Sequence, residues 1–213
     1  HKHFGPIPKP RRALPALYTT EATQDGERTI TLRRTGDVQM AMAGYHVVPG
    51  SHPDFAAMDV LAEALTAEPN GRLYKALIDT KKATSISGNA FRLREPGMFL
   101  VQATLRKDQN LDEATKLMLE ATESAASTAL TAADVDRART TLLKNLELEI
   151  NNSQSVALDL SEWQSMGDWR LIFVHRDRLK KVTPADVLRV AAAYLKPSNR
   201  TVGQFLPTEK PAR

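Results

Sequence analysis

The chain has 213 residues, of which 42% are hydrophobic and 25% charged, and its net charge is +4; these values fit one globular domain of ordinary composition. It contains no cysteine, which excludes a disulfide framework, a thiolate metal site and a cysteine nucleophile. The basic residues are spread along the chain, so we expect no nucleic acid as a partner. We also expect no membrane segment, because no apolar stretch reaches roughly 18 residues.

The first 17 residues contain four prolines, which prevent a regular helix. We therefore expect residues 1–20 to form an extended linker. That it comes from a preceding domain is implied by the resemblance of Phe4-Gly-Pro-Ile-Pro to the inter-domain segment of a known family. The main domain is predicted over 21–206, and the polar residues 207–213 are predicted to be a tail or the start of a further linker.

Two strands are predicted at the start of the domain. Residues 27–34 alternate, with Ile30 and Leu32 on one face, which predicts a half-buried strand. Residues 38–48 are small or apolar on both faces, which favours a central strand. A helix is expected over 54–67, where Phe55, Met58 and Leu61 begin an apolar stripe.

Residues 70–99 form the stretch around which the chain is organised. We expect a short helix over 72–82, with Leu73, Leu77 and Ile78 on its apolar side. A strand follows, turns at Pro96-Gly97, and continues into a second, alternating strand.

The rest of the chain is predicted to be mostly helical. The first helix is expected over 111–128. A long helix begins at 132, bends near 151–153 and continues to 166, and two more helices are expected over 168–179 and 184–195. Thr131 and Thr183 precede acidic first turns and predict helix starts. A last strand is expected over 200–206. The order predicts an α+β fold, with a mostly antiparallel sheet and helices packed on one side.

Motifs for catalysis are absent from the sequence. Neither His-x-x-Glu-His, His-Glu-x-x-His, Gly-x-Ser-x-Gly nor a phosphate-binding loop occurs. His1 and His3 supply only two possible ligands in a proline-rich segment, and His46 has no further ligand at zinc-site spacing. We therefore expect no metal site and no cofactor in this chain.

Two tryptophans, Trp163 and Trp169, flank a glycine. Large aromatic residues fill cores and also anchor interfaces, so the sequence leaves both roles open. Four acidic residues of the long helix are expected on its exposed side; they are Asp134, Asp136, Glu147 and Glu149.

Several segments together resemble the M16 metallopeptidases, the superfamily of pitrilysin, insulinase and mitochondrial processing peptidase. They are residues 70–99, Phe4-Gly-Pro-Ile-Pro, Leu105-x-x-x-x-Asn-Leu-Asp-Glu-Ala, the Leu130-Thr-x-x-Asp start of the long helix and the final Ser198-Asn-Arg-Thr-Val-Gly. The resemblance implies the LuxS/MPP-like metallohydrolase fold. In that family one domain binds zinc through His-x-x-Glu-His and a further Glu, and a partner domain holds the substrate backbone with an Arg and a Tyr.

The family's Arg and Tyr, which we call the clamp residues, are replaced in this chain. When residues 73–77 are matched to the family's Leu-Phe-x-x-Leu, the clamping Arg falls on Ile78 and the Tyr falls on Ser85, while Arg72 matches a structural arginine. Isoleucine has no guanidinium and serine has no phenol. The resemblance therefore implies an inactive fragment with no catalytic residues of its own.

The resemblance also implies partners and a role. The chain is expected to be a scaffold or chamber domain of a zinc endopeptidase, with zinc in the parent's catalytic domain or in a partner subunit, and with a peptide or protein substrate. The alternative is an inactive, peptidase-like core subunit that resembles those of the respiratory bc1 complex. By family resemblance the parent fits a bacterial periplasmic protein, whereas composition selects no compartment.

Overall fold

The computed structural model describes residues 2–3, 5–8, 11 and 22–209. Most of the predicted linker over 1–20, and the last four residues of the predicted tail, lie outside these residues. The described part contains five strands: β1 (Arg28–Thr35), β2 (Val38–Val47), β3 (Ser85–Ala90), β4 (Gly97–Arg106) and β5 (Arg200–Thr208). It contains six α-helices: α1 (Phe55–Thr66), α2 (Leu111–Glu123), α3 (Ala132–Ile150), α4 (Ser153–Ser165), α5 (Leu171–Leu179) and α6 (Pro184–Tyr194).

The strands form one sheet in the order β1-β5-β2-β4-β3. β2 pairs antiparallel with both β4 and β5, and β3 pairs antiparallel with β4. Only the β1–β5 pair is parallel. The expectation of a mostly antiparallel sheet with helices on one side is confirmed, and β2 occupies the predicted central place.

One face of the sheet is covered by helices. Ala41, Ala43 and Tyr45 of β2 pair with Ala103, Val101 and Phe99 of β4, and all six are fully buried. The intervening residues lie on the opposite face, which we call the open sheet face. It includes the apolar or aromatic Ile30, Leu32, Met40, Met42, His46, Met98, Leu100 and Phe205, the polar Ser85, Ser87, Asn89, Gln102 and Thr104 toward β3, and Arg28 and Arg34 of β1.

Helix α1 lies at the centre of the helical layer. It contacts β3, α3, α5 and α6, and nine of its twelve residues are buried. Alanines at several of these positions let the neighbouring elements approach closely. The predicted apolar stripe of α1 therefore becomes an almost completely buried helix.

The helix starts follow the local sequence. Thr131 and Thr183 each accept a hydrogen bond from the backbone of the acidic residue three positions on, and each forms a capping box. Asn152 caps α4 by accepting hydrogen bonds from the amides of Gln154 and Ser155, so the predicted bend near 151–153 is a break between two helices.

The predicted burial of the first strand is wrong. All eight residues of β1 are exposed, with Ile30 60% and Leu32 48% accessible. The physical reason is position, since β1 is an edge strand and α2 packs on β2 and β4 instead. β5 also continues to Thr208, two residues into the predicted tail. Across the described residues, no helix combines the length and apolarity needed to cross a membrane.

Gly71 joins the end of α1 to the short helix that follows. A Cβ atom at this position would overlap the carbonyl oxygen of Leu65 and would lie 2.8 Å from the amide nitrogen of Ala67. Both are backbone atoms, which cannot move aside as a flexible side chain can. This close approach sets where the short helix begins.

We expect Gly71→Ala to lower the free energy of unfolding by at least about 2 kcal/mol, because backbone must shift to admit the methyl group. Gly26→Ala is the matched control, since no atom lies within 4 Å of a Cβ there. Denaturant unfolding of both variants measures the difference. Equal stability of the two variants would contradict the proposed close contact.

Candidate functional site

The segment 72–78, which carries one predicted clamp position, is fastened by Arg72 to the residues that follow α2. Its Nη2 atom donates to the carbonyl oxygens of Thr128 and Ala129, both at 2.8 Å, and its Nη1 atom donates to the Ser124 hydroxyl at 3.2 Å. Leu73 is buried beside it. Arg72 therefore has a structural role, as the resemblance implies.

Ile78 ends a π-helical turn, Tyr74–Ile78. Such turns widen the helix by one residue and shift the side chains that follow. The Ile78 side chain is half-buried and packs against the main core, whereas the neighbouring Leu77 is fully buried. The apolar side predicted for this helix is confirmed, with Ile78 at its margin.

Ser85 is the first residue of β3 and is exposed. It pairs with Thr104 of β4, two residues before Ser87 pairs with Gln102. The second clamp position thus lies on the polar part of the open sheet face, while Ile78 lies against the core. That these two positions correspond to the family's Arg and Tyr stays a prediction from the resemblance.

The sheet also carries a phenol, on the helix-covered face and not on the face that carries Ser85. Tyr45 is buried and donates to the Glu123 carboxylate at 2.9 Å, and Arg200 bridges Glu123 and Glu27. Burial, reinforced by Glu123, raises the pKa of Tyr45 far above its ordinary value. This network joins β2, β5 and the end of α2, and it is structural.

Histidine residues in the described part do not assemble a zinc site. His175 Nε2 lies 3.0 Å from Asp59 Oδ2, and His52 Nδ1 accepts a hydrogen bond from the Asp54 amide. Within 22–209 and the few described residues before it, no group of three or more His, Asp or Glu side chains is placed to hold a metal. These residues do not fit zinc, and His1 lies outside them.

The pair of His175 and Asp59 is a feature that sequence reasoning missed. It lies at a cavity of about 270 Å³ that is also lined by Asn89, Arg92 and Glu149. The imidazole is only 3% exposed and stands 5.2 Å from the Trp163 ring. Because so little of the ring is accessible, the pair ties α5 to α1 and is poorly placed for chemistry.

The two tryptophans differ in environment. Trp163 is 2% exposed and packs with Met166 and Ile172 in a second, smaller core. Trp169 is 42% exposed and contacts Phe173 edge-on. Trp163 therefore fills a core, whereas Trp169 is available at the surface. An interface role stays a prediction, and the exposed Trp169 is the one able to provide it.

The chain is similar to known proteins in both sequence and structure. Residues 1–142 match the family described as Peptidase M16 inactive domain. A crystal structure of the inactive peptidase domain of a protein assigned as a zinc protease, from Bordetella parapertussis, is 38% identical with a TM-score of 0.78, and the match covers 85% of this chain and 97% of that one.

Two comparisons involve Helicobacter pylori. Zinc protease PqqE is 23% identical over 203 residues, which are 94% of this chain and 46% of the relative. A protease crystal structure is 22% identical with a TM-score of 0.88, and the match covers 97% of this chain and 51% of that one. The chain thus spans about half the length of the curated relative that it matches.

We expect Ile78→Arg to lower the free energy of unfolding by only about 1 kcal/mol, because the long stem can stay at the core margin while the guanidinium reaches water. Leu77→Arg is the control, and it should cost more than about 3 kcal/mol by burying an unpaired charge. Thermal and denaturant unfolding measure both. Equal losses would place Ile78 inside the core and contradict the described geometry.

Proposed function

The chain belongs to the family of M16 peptidase inactive domains, and we propose that, as such a domain, it forms part of the wall of a peptidase chamber. The observation that carries this proposal is a sequence without a zinc motif, in which Ile78 and Ser85 stand where the family resemblance predicts the clamp residues. The domain keeps the scaffold of a clamp-bearing domain and lacks the guanidinium and the phenol. It can therefore shape a binding space, but it cannot hold a substrate in the family's way.

Zinc and the attacking water come, on this proposal, from a catalytic M16 domain of the same polypeptide or from a partner subunit. A metal-bound water is the nucleophile in such peptidases, and the described residues of this chain provide no ligand set. The chain covers 46% of a relative named as a zinc protease, which leaves room there for a second domain of similar size. The substrate is a peptide or protein.

On this proposal, the surface that meets the catalytic partner lies on the helices. Trp169, Phe173 and Val174 are exposed around the start of α5, and Leu158 is exposed on α4. We call these four residues the α4–α5 patch. Exposed apolar groups of this kind, with an aromatic anchor, are typical of interfaces. The alternative role, an inactive core subunit, would use the same surface beside a partner that also lacks zinc ligands.

Hydrolysis of peptides by the chain alone should be undetectable above background, with or without added zinc. The double variant Ile78→Arg/Ser85→Tyr should stay inactive, because clamp residues orient a substrate toward a metal-bound water that this chain does not provide. Quenched fluorescent peptide libraries measure cleavage, and a chelator distinguishes metal-dependent activity from contamination. Chelator-sensitive cleavage by the purified chain would overturn the proposal.

Association with the catalytic M16 domain or subunit of the same organism should depend on Trp169. We expect Trp169→Ala to weaken association by about tenfold or more, since truncating an interface anchor typically costs 2 kcal/mol or more, and to leave the unfolding midpoint nearly unchanged. Trp163→Ala is the control, and it should lower stability by about 3 kcal/mol or more. Calorimetric titration and thermal melts measure the two effects. Unchanged association for Trp169→Ala would remove this patch from the interface.

A further inference from the structure

The outer edge of β1 is free in the described structure. β1 pairs with β5 along its whole length, from Arg28 opposite Thr201 to Thr35 opposite Thr208. It is the last strand of the sheet on that side, and every residue of it is exposed. A strand in this position presents backbone N–H and C=O groups that can pair with an added extended chain.

Side chains on this edge follow a definite pattern. Arg28, Ile30, Leu32 and Arg34 alternate with Thr29, Thr31 and Arg33 and share the open sheet face. Two apolar side chains thus lie between two guanidinium groups. The register sets Ile30 beside Gly203 and Leu32 beside Phe205, so the apolar strip continues onto β5.

Charge on this edge is uncompensated. Among the ion pairs between described residues, none includes Arg28, Arg33 or Arg34. The nearest acid in sequence, Glu27, is already paired with Arg200. The edge is therefore positively charged, and a neighbouring strand with carboxylates would complement it.

We infer that the outer edge of β1 binds an extended, acidic segment of a polypeptide substrate as an added strand. The segment carries acidic residues opposite Arg28 and Arg34 and apolar residues opposite Ile30 and Leu32. Main-chain hydrogen bonds hold it, and the arginines and the apolar strip select it. The inference rests on the proposed function, because a chamber wall is where such a segment would be presented.

Two other occupants fit the edge less well. A second copy of β1 paired antiparallel about Thr31 would set Arg28 opposite Arg34, and like charges directly opposite one another destabilise a strand pair. The chain's own residues 12–21 contain one acid and one base, so they lack the two acids that the pattern requires. A substrate segment can supply both.

The test measures binding of a synthetic peptide to the 213-residue chain by fluorescence anisotropy. The probe is a blocked, fluorescein-labelled peptide of sequence Ser-Glu-Thr-Val-Thr-Val-Thr-Glu-Ser. We expect saturable binding that weakens as salt is added. Arg28→Glu/Arg34→Glu should weaken it about tenfold by converting attraction into repulsion. Arg94→Glu/Lys181→Glu makes the same charge change at exposed positions away from β1. It should weaken binding only slightly, through the lower net charge of the whole chain.

Two control peptides and a mapping experiment complete the test. A peptide with Lys in place of both Glu, and one with alternate backbone amides N-methylated, should each fail to bind, because one loses the charge match and the other loses main-chain donors. Hydrogen exchange should slow at β1 when the acidic peptide is bound. Equal binding of the Lys peptide, equal loss in the two double variants, slowed exchange at β3 instead of β1, or self-association through β1 would overturn the inference. None of these outcomes changes the results of the activity and Trp169 experiments. Failure of the β1 inference can therefore be distinguished from failure of the proposed chamber role.

Discussion

The burial of α1 is the constraint on which the rest of the structure depends. β3 contacts one side of this helix, and α3, α5 and α6 contact others, so each neighbour has to present a small or apolar surface to it. Two acidic side chains of this region are paired. Asp59 lies 3.0 Å from His175, and Asp54 at the helix start lies 2.9 Å from Arg189. Because the helices gather around α1, they all lie on one side of the sheet and leave the other face open.

The one-sided arrangement of the helices suits a peptidase-like domain that has a structural role and no catalytic one. The helix-covered face supplies the stability of the domain, and the contacts proposed with other molecules use the open sheet face and the α4–α5 patch. Ser85 lies on the open sheet face, and Ile78 lies at the margin of the core. If these are the clamp positions, as the family resemblance predicts, their replacement removes the substrate-holding groups without disturbing the packing that holds the domain together.

Most of the fold could be predicted from the sequence, because capping residues and apolar periodicity are local signals. Thr131 and Thr183 mark helix starts in both the sequence and the structure. Long-range features could not be predicted in the same way. The parallel pairing of β1 with β5 joins Arg28 to Thr201, and no local pattern shows that this pairing leaves Ile30 exposed. The same holds for the candidate site. The family resemblance, and not a local pattern, points to Ile78 and Ser85. The π-helical turn that ends at Ile78, the pair of His175 and Asp59, and the different burial of Trp163 and Trp169 depend on tertiary packing.

The central claim is that this chain supplies surface and no chemistry to a zinc peptidase. The most direct measurement is kcat/KM for hydrolysis of a quenched fluorescent peptide by the catalytic M16 domain or subunit of the same organism, with and without this chain. The account predicts a rise of about tenfold or more when the chain is added, because substrate is then positioned in a closed chamber, and complete loss of activity when the partner's zinc ligands are mutated. Activity that is unchanged by the chain, or that persists with it after those ligands are lost, would contradict the account.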